Sequence, residues 1–389
     1  MKVGIDKLGF YTPETYIDMT ELANARGEDP AKYLIGIGQR KQAIAPVTQD
    51  VVTMAANAAT KILTPADKQS IKMVLFGTES GVDNSKATAV YLQTLLGLSA
   101  DVRAVEIKQA CYGATAGVQM ACDYVRSHPT ASVLVIGADI ARYGLNTPGE
   151  VTQGAGAVAM LIKADPDLIE LEAESVFHSA DVMDFWRPLY RSEALVDGHY
   201  SNNVYIDFFN QTWQEFQNRT DTNISDFDAF LFHLPYTKMG LKALRTITSD
   251  DQHSQDLLTE FEAAKKFNAE VGNIYTGSLY LSLISWLVNS QTLASGNHVG
   301  FFSFGSGAQG EFFAGNVGPS TQLQNLKMQM EASLNQRRQI SIKEYEAMFE
   351  ARRPFEAGDY AFDLSEEKAQ FYLKGQQNHQ LLYVNTKNN

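Results

Sequence analysis

Two kinds of apolar pattern alternate along this chain: short stretches in which nearly every position is apolar, and longer ones in which apolar residues recur every three or four positions. The first kind reads as strands buried on both faces and the second as helices packed by one face, so the alternation predicts an α/β layer structure. Met1 to Asp6 opens as a strand, Tyr16 to Arg26 reads as a helix, Gly27 to Tyr33 as a turn starting another short helix, and Ile35 to Gln42 as a loop. Asp50 to Leu63 is helical by spacing, and Ile71 to Glu79 is a buried strand ending in a carboxylate. Ala87 to Leu96 is a further helix, and Val102 to Ile107 is a strand leading to Gln109-Ala110-Cys111-Tyr112-Gly113-Ala114-Thr115-Ala116-Gly117. Ser132 to Asp139 and Gly154 to Leu161 continue the series of apolar stretches.

The order of elements then recurs. Asp228 to His233 repeats the strand that ends at Glu79, now ending at a histidine, and Gly272-Asn273-Ile274-Tyr275-Thr276-Gly277-Ser278 repeats the cysteine turn with Asn273 in its place. His298 to Ser306 repeats the strand that ends at Asp139. An internal duplication follows, with its divide near Lys163 to Leu171 and halves at 1–166 and 167–389. Beyond Gln322, Leu326 to Arg353 is charged and mostly helical, with Arg337-Arg338 and Arg352-Arg353, and reads as a solvated face without chemistry.

Composition narrows the class. With 389 residues, 44% of them hydrophobic and 20% charged, the chain can bury two cores without covalent help. Cys111 and Cys122 are the only cysteines, and Cys122 lies on the apolar helix after Cys111, so neither a disulfide framework nor a cysteine metal site is expected and the compartment reads as reducing, that is, cytoplasmic. The first residues do not form a secretory signal, and no apolar run reaches the roughly 18 residues of a membrane span. A net charge of -13 argues against nucleic acid or an anionic membrane as partner; an anionic substrate would need a local basic patch.

The candidate chemistry sits where strands end. A strand, a cysteine and then small residues opening a helix form a nucleophile elbow, whose helix amides would favour thiolate. Taken singly, Cys111 reads as a small core residue, Glu79 as a solvated strand end, His233 as a satisfied core histidine and Asn273 as a helix cap. If the halves face one cleft, however, the four converge at the ligand position of α/β sheets. A thiolate attacks a thioester, histidine and asparagine polarise a carbonyl oxygen, and a carboxylate moves a proton at carbon.

These residues stand within motifs that resemble the hydroxymethylglutaryl-CoA synthase family of the thiolase superfamily. The matching stretches are Tyr33-Leu34-Ile35-Gly36-Ile37-Gly38-Gln39, Gly77-Thr78-Glu79, Ala110-Cys111-Tyr112-Gly113, Val196-Asp197-Gly198, His233-Leu234-Pro235-Tyr236-Thr237-Lys238, Gly272-Asn273-Ile274-Tyr275-Thr276 and Phe304-Gly305-Ser306-Gly307. The loop Asn146-Thr147-Pro148-Gly149-Glu150 departs from animal members, and the absence of their long insertions points to a bacterial type. The resemblance implies a thiolase-like duplicated fold, two related α/β halves forming a layered αβαβα core. It also implies condensation of acetyl-CoA with acetoacetyl-CoA and water through an acetyl-Cys111 intermediate, in the mevalonate pathway, by a homodimer without cofactor or metal.

Under that resemblance Glu79 is the general base, and His233 and Asn273 hold the acetoacetyl thioester oxygen. Asp29, Thr152, Ser201, Lys238, Lys242 and Ser306 would contact CoA or the acyl group, while Asp139, Tyr143 and Asp184 match polar positions near the cavity. Lys238 and Lys242, one helical turn apart, also supply the basic patch that so acidic a chain needs for CoA phosphates, although such a pair reads equally as an exposed helix face. Two other readings share parts of this pattern. A ketoacyl-ACP synthase III-like condensing enzyme has the cysteine, histidine and asparagine but decarboxylates and needs no Glu79, and a catalytically dead binding subunit would need neither Glu79 nor Cys111.

Overall fold

Apolar strands pair where both faces can be covered, and here they form one long sheet. A computed structural model describes residues 1–351 and 358–388, so Arg352-Arg353 lie outside the described residues. The strands of the sheet are β1 (Val3–Tyr11), β2 (Ile71–Gly77), β3 (Arg103–Ile107), β4 (Ser132–Ile140), β5 (Ala155–Ala164), β6 (Ile169–Ser179), β7 (Ala229–Phe232), β8 (His298–Gly305) and β9 (Gln309–Val317). Their spatial order is β7-β8-β9-β6-β1-β5-β4-β2-β3. Moving outward from β1, the pairings with β5, β4 and β2 are antiparallel, antiparallel and parallel. From β6, the pairings with β9, β8 and β7 follow the same sequence. The two series pair through Gly4 opposite Glu170 and Ile5 opposite Ile169. In the second series β3 has no counterpart among the described residues; the short helix Lys266–Val271 precedes Asn273 instead.

The principal helices are α1 (Val51–Ala59), α2 (Thr88–Leu96), α3 (Gly113–Ser127), α4 (Gly198–Thr220), α5 (Met239–Leu244), α6 (Gln252–Ala264), α7 (Ser278–Asn289) and α8 (Ile342–Glu350). Side chains alternate across each strand, and this alternation sorts the layers. Val133 and Val135 of β4 and Val299 and Phe301 of β8 share one core with α3 and α7. Leu134 and Ile136 turn to a second core with α1 and α2, and Phe302 and Phe304 to a third with α4, α5 and α6. Helices α3 and α7 therefore form the middle of five layers, the αβαβα arrangement.

Two glycines let those middle helices start against the sheet. A β-carbon on Gly77 would lie 2.3 Å from the Ala114 nitrogen, and one on Gly137 would lie 2.9 Å from the Thr276 oxygen. Backbone contact at both points brings Cys111 and Asn273, each just before its helix, to the same end of the sheet.

Elsewhere the local reading is corrected. The stretch read as one helix from Tyr16 begins as a strand, Thr15–Asp18, paired with Lys41–Ile44, which takes in the last two residues of the stretch read as a loop. The helix starts at Met19 because the Asp18 carboxylate accepts the Thr20 and Glu21 amides. After the Gly27 turn the short helix is a π-helical one, Lys32–Ile37, ended by Gly38 at φ 83°. The charged C-terminal stretch is not merely a solvated face either: α8 buries Tyr345 and Phe349, and the Arg337 side chain is 1% exposed.

Candidate active site

At the elbow, Ala110 adopts φ 42°, a left-handed conformation uncommon for a residue with a side chain, and Cys111 follows, one residue before the cap of α3. Its Sγ lies 3.2 Å from Glu79 Oε1. Glu79 sits just beyond the end of β2, and its main-chain N–H donates to Asp139 Oδ1 at 2.7 Å. The same Asp139 oxygen accepts from the hydroxyls of Thr78 and Ser80, while Oδ2 accepts from the Thr276 N–H and hydroxyl. One fully buried carboxylate thus ties the Glu79 turn to the Asn273 elbow.

Burial pushes the Glu79 carboxyl up to about 7, Asp139 adds to the shift, and Arg187 and the Cys111 thiol oppose it. The Cys111 thiol is also pushed well above its usual range, first by burial and then by Glu79 beside it. This corrects the expectation that the helix start favours thiolate: burial, together with a carboxylate in contact with sulfur, outweighs partial charges on helix amides. At rest the thiol is protonated and donates to Glu79.

Across the cleft His233 and Asn273 are both 2% exposed. Burial pushes His233 down to about 3, so its ring is neutral and offers one N–H donor. Its backbone is held by Phe302, whose oxygen accepts the His233 N–H at 2.8 Å, and by the Tyr205 hydroxyl, which donates to the His233 oxygen at 2.7 Å. Asn273 Oδ1 accepts from the Tyr275 N–H and the Ser278 hydroxyl, each at 2.8 Å, which fixes the amide and leaves Nδ2 buried without a partner. Cys111, His233 and Asn273 line one cavity of about 740 Å³. A cysteine and carboxylate pair facing unspent buried donors is a site for acyl transfer with an oxyanion to be held.

The family models for the hydroxymethylglutaryl-coenzyme A synthase N terminal and C terminal match residues 1–167 and residues 169–269 and 260–375. The chain belongs to the hydroxymethylglutaryl-CoA synthase family. The Enterococcus faecalis hydroxymethylglutaryl-CoA synthase is 51% identical over 90% of this chain and 92% of its own. A crystal structure of HMG-CoA synthase complexed with CoA superposes with a TM-score of 0.95 at 42% identity, covering 99% of this chain and 100% of that one. MvaS in complex with 3-hydroxy-3-methylglutaryl coenzyme A superposes with a TM-score of 0.87 at 33% identity, covering 99% of each chain. The fold is thus thiolase-like, and the activity is that of an HMG-CoA synthase: acetyl-CoA, acetoacetyl-CoA and water give HMG-CoA and CoA. Membership also decides against the decarboxylating ketoacyl synthase and the dead binding subunit.

Within this synthase the remaining candidates fall into three groups. Tyr143, Thr152, Ser201 and Ser306 line the large cavity with Cys111. Asp139 and Asp184 do not; both are fully buried, and Asp184 accepts from the Ser201 hydroxyl and the Gly307 N–H, each at 2.9 Å, so each braces the cavity wall instead. Lys238, Lys242 and Asp29 also stand outside the lining. Lys238 caps α5, exposed Lys242 donates at 2.8 Å to the hydroxyl of Tyr236, which does line the cavity, and exposed Asp29 accepts the Ala31 N–H in its turn.

Two features gave no sequence signal as site residues. Arg187 donates to the Glu79 main-chain oxygen at 3.0 Å from a loop with no motif. Tyr345 of α8 donates to Glu150 and accepts from Gln153, each at 3.0 Å, while Gln153 Oε1 accepts the N–H groups of Tyr143 and Gly144. The C-terminal helix therefore braces the 143–153 loop that forms part of the cavity wall. Tyr345→Phe is expected to cost about 1–2 kcal/mol in urea unfolding, because it leaves buried Gln153 and Glu150 each short of a partner. An unchanged midpoint would detach α8 from that loop.

Proposed function

We propose that Cys111 carries the acetyl group and Glu79 moves every proton of the condensation. Glu79 takes the thiol proton as sulfur attacks acetyl-CoA and returns it to the departing CoA thiolate. It then takes a proton from the methyl of acetyl-Cys111, and the enolate carbon bonds to the ketone carbon of acetoacetyl-CoA. The protonated Glu79 gives that proton to the new alkoxide, and water cleaves the thioester to Cys111, leaving a carboxylate. His233 and the free Asn273 Nδ2 hold the acetoacetyl thioester oxygen. The observation that supports this reading is the 3.2 Å contact of Sγ with Glu79 Oε1. Each step has its side chain, so the scheme calls for no resident cofactor or metal. A thiol assay with acetyl-CoA alone should show a burst of one CoA per site before slow hydrolysis; absence of a burst would rule out the covalent route.

Thr152, Ser201, Ser306 and Tyr143 shape the acyl and pantetheine path in this reading, with Lys238 and Lys242 meeting phosphate at its rim. Lys242→Ala should raise the Michaelis constant for the CoA esters about two- to fivefold at low salt, less at high salt, with little change in turnover. An unchanged constant at low ionic strength would remove it from the path.

A homodimer and a cytoplasmic location belong to the same proposal. Strand β3 ends the sheet with its outer edge unpaired among the described residues, and Val105 on it is 46% exposed, which favours cover by a second copy. Light scattering should give twice the chain mass; a monomer would refute it. Both cysteines are free, in keeping with a reducing compartment. Among the described residues no helix is long and apolar enough to cross a membrane.

A further inference from the structure

Arg187 follows the short strand Phe185–Trp186 and reaches Glu79 from a direction the acyl cavity does not use. Its Nη1 donates to the Glu79 main-chain oxygen at 3.0 Å, and Nη2 lies 3.6 Å from Glu79 Oε2. The guanidinium also stands 5.7 Å from the ring centroid of the buried Tyr275. Among the described residues Arg187 is the one cation in ion-pair range of Glu79. Cys111 lines the large cavity, whereas Glu79 and Arg187 line a second one of about 350 Å³, so the contact of Sγ with Oε1 lies between the two.

We propose that Arg187 is the positioning residue of the general base: it clamps the Glu79 main chain and faces Oε2, which turns Oε1 toward the sulfur and the acyl methyl group. This rests on the reading of Glu79 as base. Its geometry suits a carboxylate that changes partners. Nε and Nη2 are buried with no hydrogen-bond acceptor, so the guanidinium has a donor in reserve. Once acetylation removes the thiol hydrogen bond to Oε1, that donor can close on Oε2 in a charge-assisted bond.

The electrostatic role follows from what faces Glu79. Asp139, on β4, pushes its carboxyl up with burial, and Arg187 opposes them, as does the Cys111 thiol of the elbow. Tyr143 and Tyr275 complete the titratable surroundings, and both are held protonated by burial. In the acetyl-enzyme the thiol is gone, and Arg187 alone remains of the groups that favour the ionised base. Without it the carboxyl rises further, and the pH at which Glu79 becomes a base moves up.

The test uses enzyme already acetylated on Cys111 and follows a single condensation with acetoacetyl-CoA across pH. Arg187→Met keeps the length and removes the charge. It should move the acid limb upward by about one unit or more, with a rate about tenfold lower on that limb and largely regained at high pH. Acetylation should fall less than condensation, because a thiol yields its proton to a weakened base far more readily than a methyl group does, and the Michaelis constant for acetoacetyl-CoA should hold, since Arg187 does not line the large cavity. Arg187→Lys, which restores a cation, should recover part of the shift. An equal loss at every pH, or an equal loss in both half-reactions, would mark Arg187 as merely structural and overturn the proposal. If Arg187→Met does not fold, Arg187→Lys serves alone: an unshifted profile would also overturn it. Glu79→Gln run in parallel separates the two claims. If that variant still condenses, the base reading itself fails; if it does not and the Arg187 variants titrate as wild type, only the role of Arg187 falls.

Discussion

Replacing Glu79 with glutamine is expected to lower condensation by a factor on the order of 10² to 10⁴ while Cys111 still becomes acetylated. The amide keeps the size and polarity of the carboxylate but cannot take a proton from the acetyl methyl group. For acetylation the substitution has two opposed effects. It removes the acceptor that sits 3.2 Å from the thiol, and it also removes the negative charge that, after burial, most strongly opposes thiolate. The half-reactions therefore come apart, and mass measurement of the protein with absorbance of acetoacetyl-CoA reads both in one sample. Equal loss of both would make Glu79 a group that only tunes the cysteine. No loss of either would remove the residue that distinguishes this chemistry from decarboxylating condensation. In wild-type enzyme the condensation step should also fail as pH drops through about 7, the value to which burial raises the Glu79 carboxyl, because the base is then protonated.

Cys111→Ser is expected to abolish the acetyl-enzyme and to reduce overall turnover by about 10⁴ or more, with the fold intact. The reason is not the want of an adjacent base, since Glu79 stands beside the sulfur. A carboxyl raised to about 7 is far too weak a base for a serine hydroxyl, though it suffices for a thiol. Circular dichroism and the melting temperature should match wild type. A serine variant that still took up acetyl from acetyl-CoA would remove Cys111 from its role.

What the sequence made legible was whatever local pattern dictates. Continuous apolar runs such as Ser132 to Asp139 can only be covered on both faces, so β4 and its layers followed from periodicity, and the elbow residues followed from small side chains after a strand. Tyr16 to Arg26 went astray because strand pairing with Lys41–Ile44 overrides helical spacing until Asp18 can cap. The thiol state of Cys111 was illegible because it depends on burial by the packed fold and on a carboxylate brought in from the end of another strand. Asp139 was reached only through the family resemblance, while Arg187 and Tyr345 act through contacts far apart in sequence, and nothing local distinguishes them from any loop arginine or helix tyrosine.

The central claim is that the acetyl group resides on Cys111 and is then consumed there. Enzyme loaded with isotopically labelled acetyl-CoA, freed of excess and split by peptide mapping, should carry one labelled acetyl on the peptide containing Cys111. On addition of unlabelled acetoacetyl-CoA that label should leave the protein and appear in HMG-CoA. Label on any other residue, or label on Cys111 that acetoacetyl-CoA does not remove, would contradict the account.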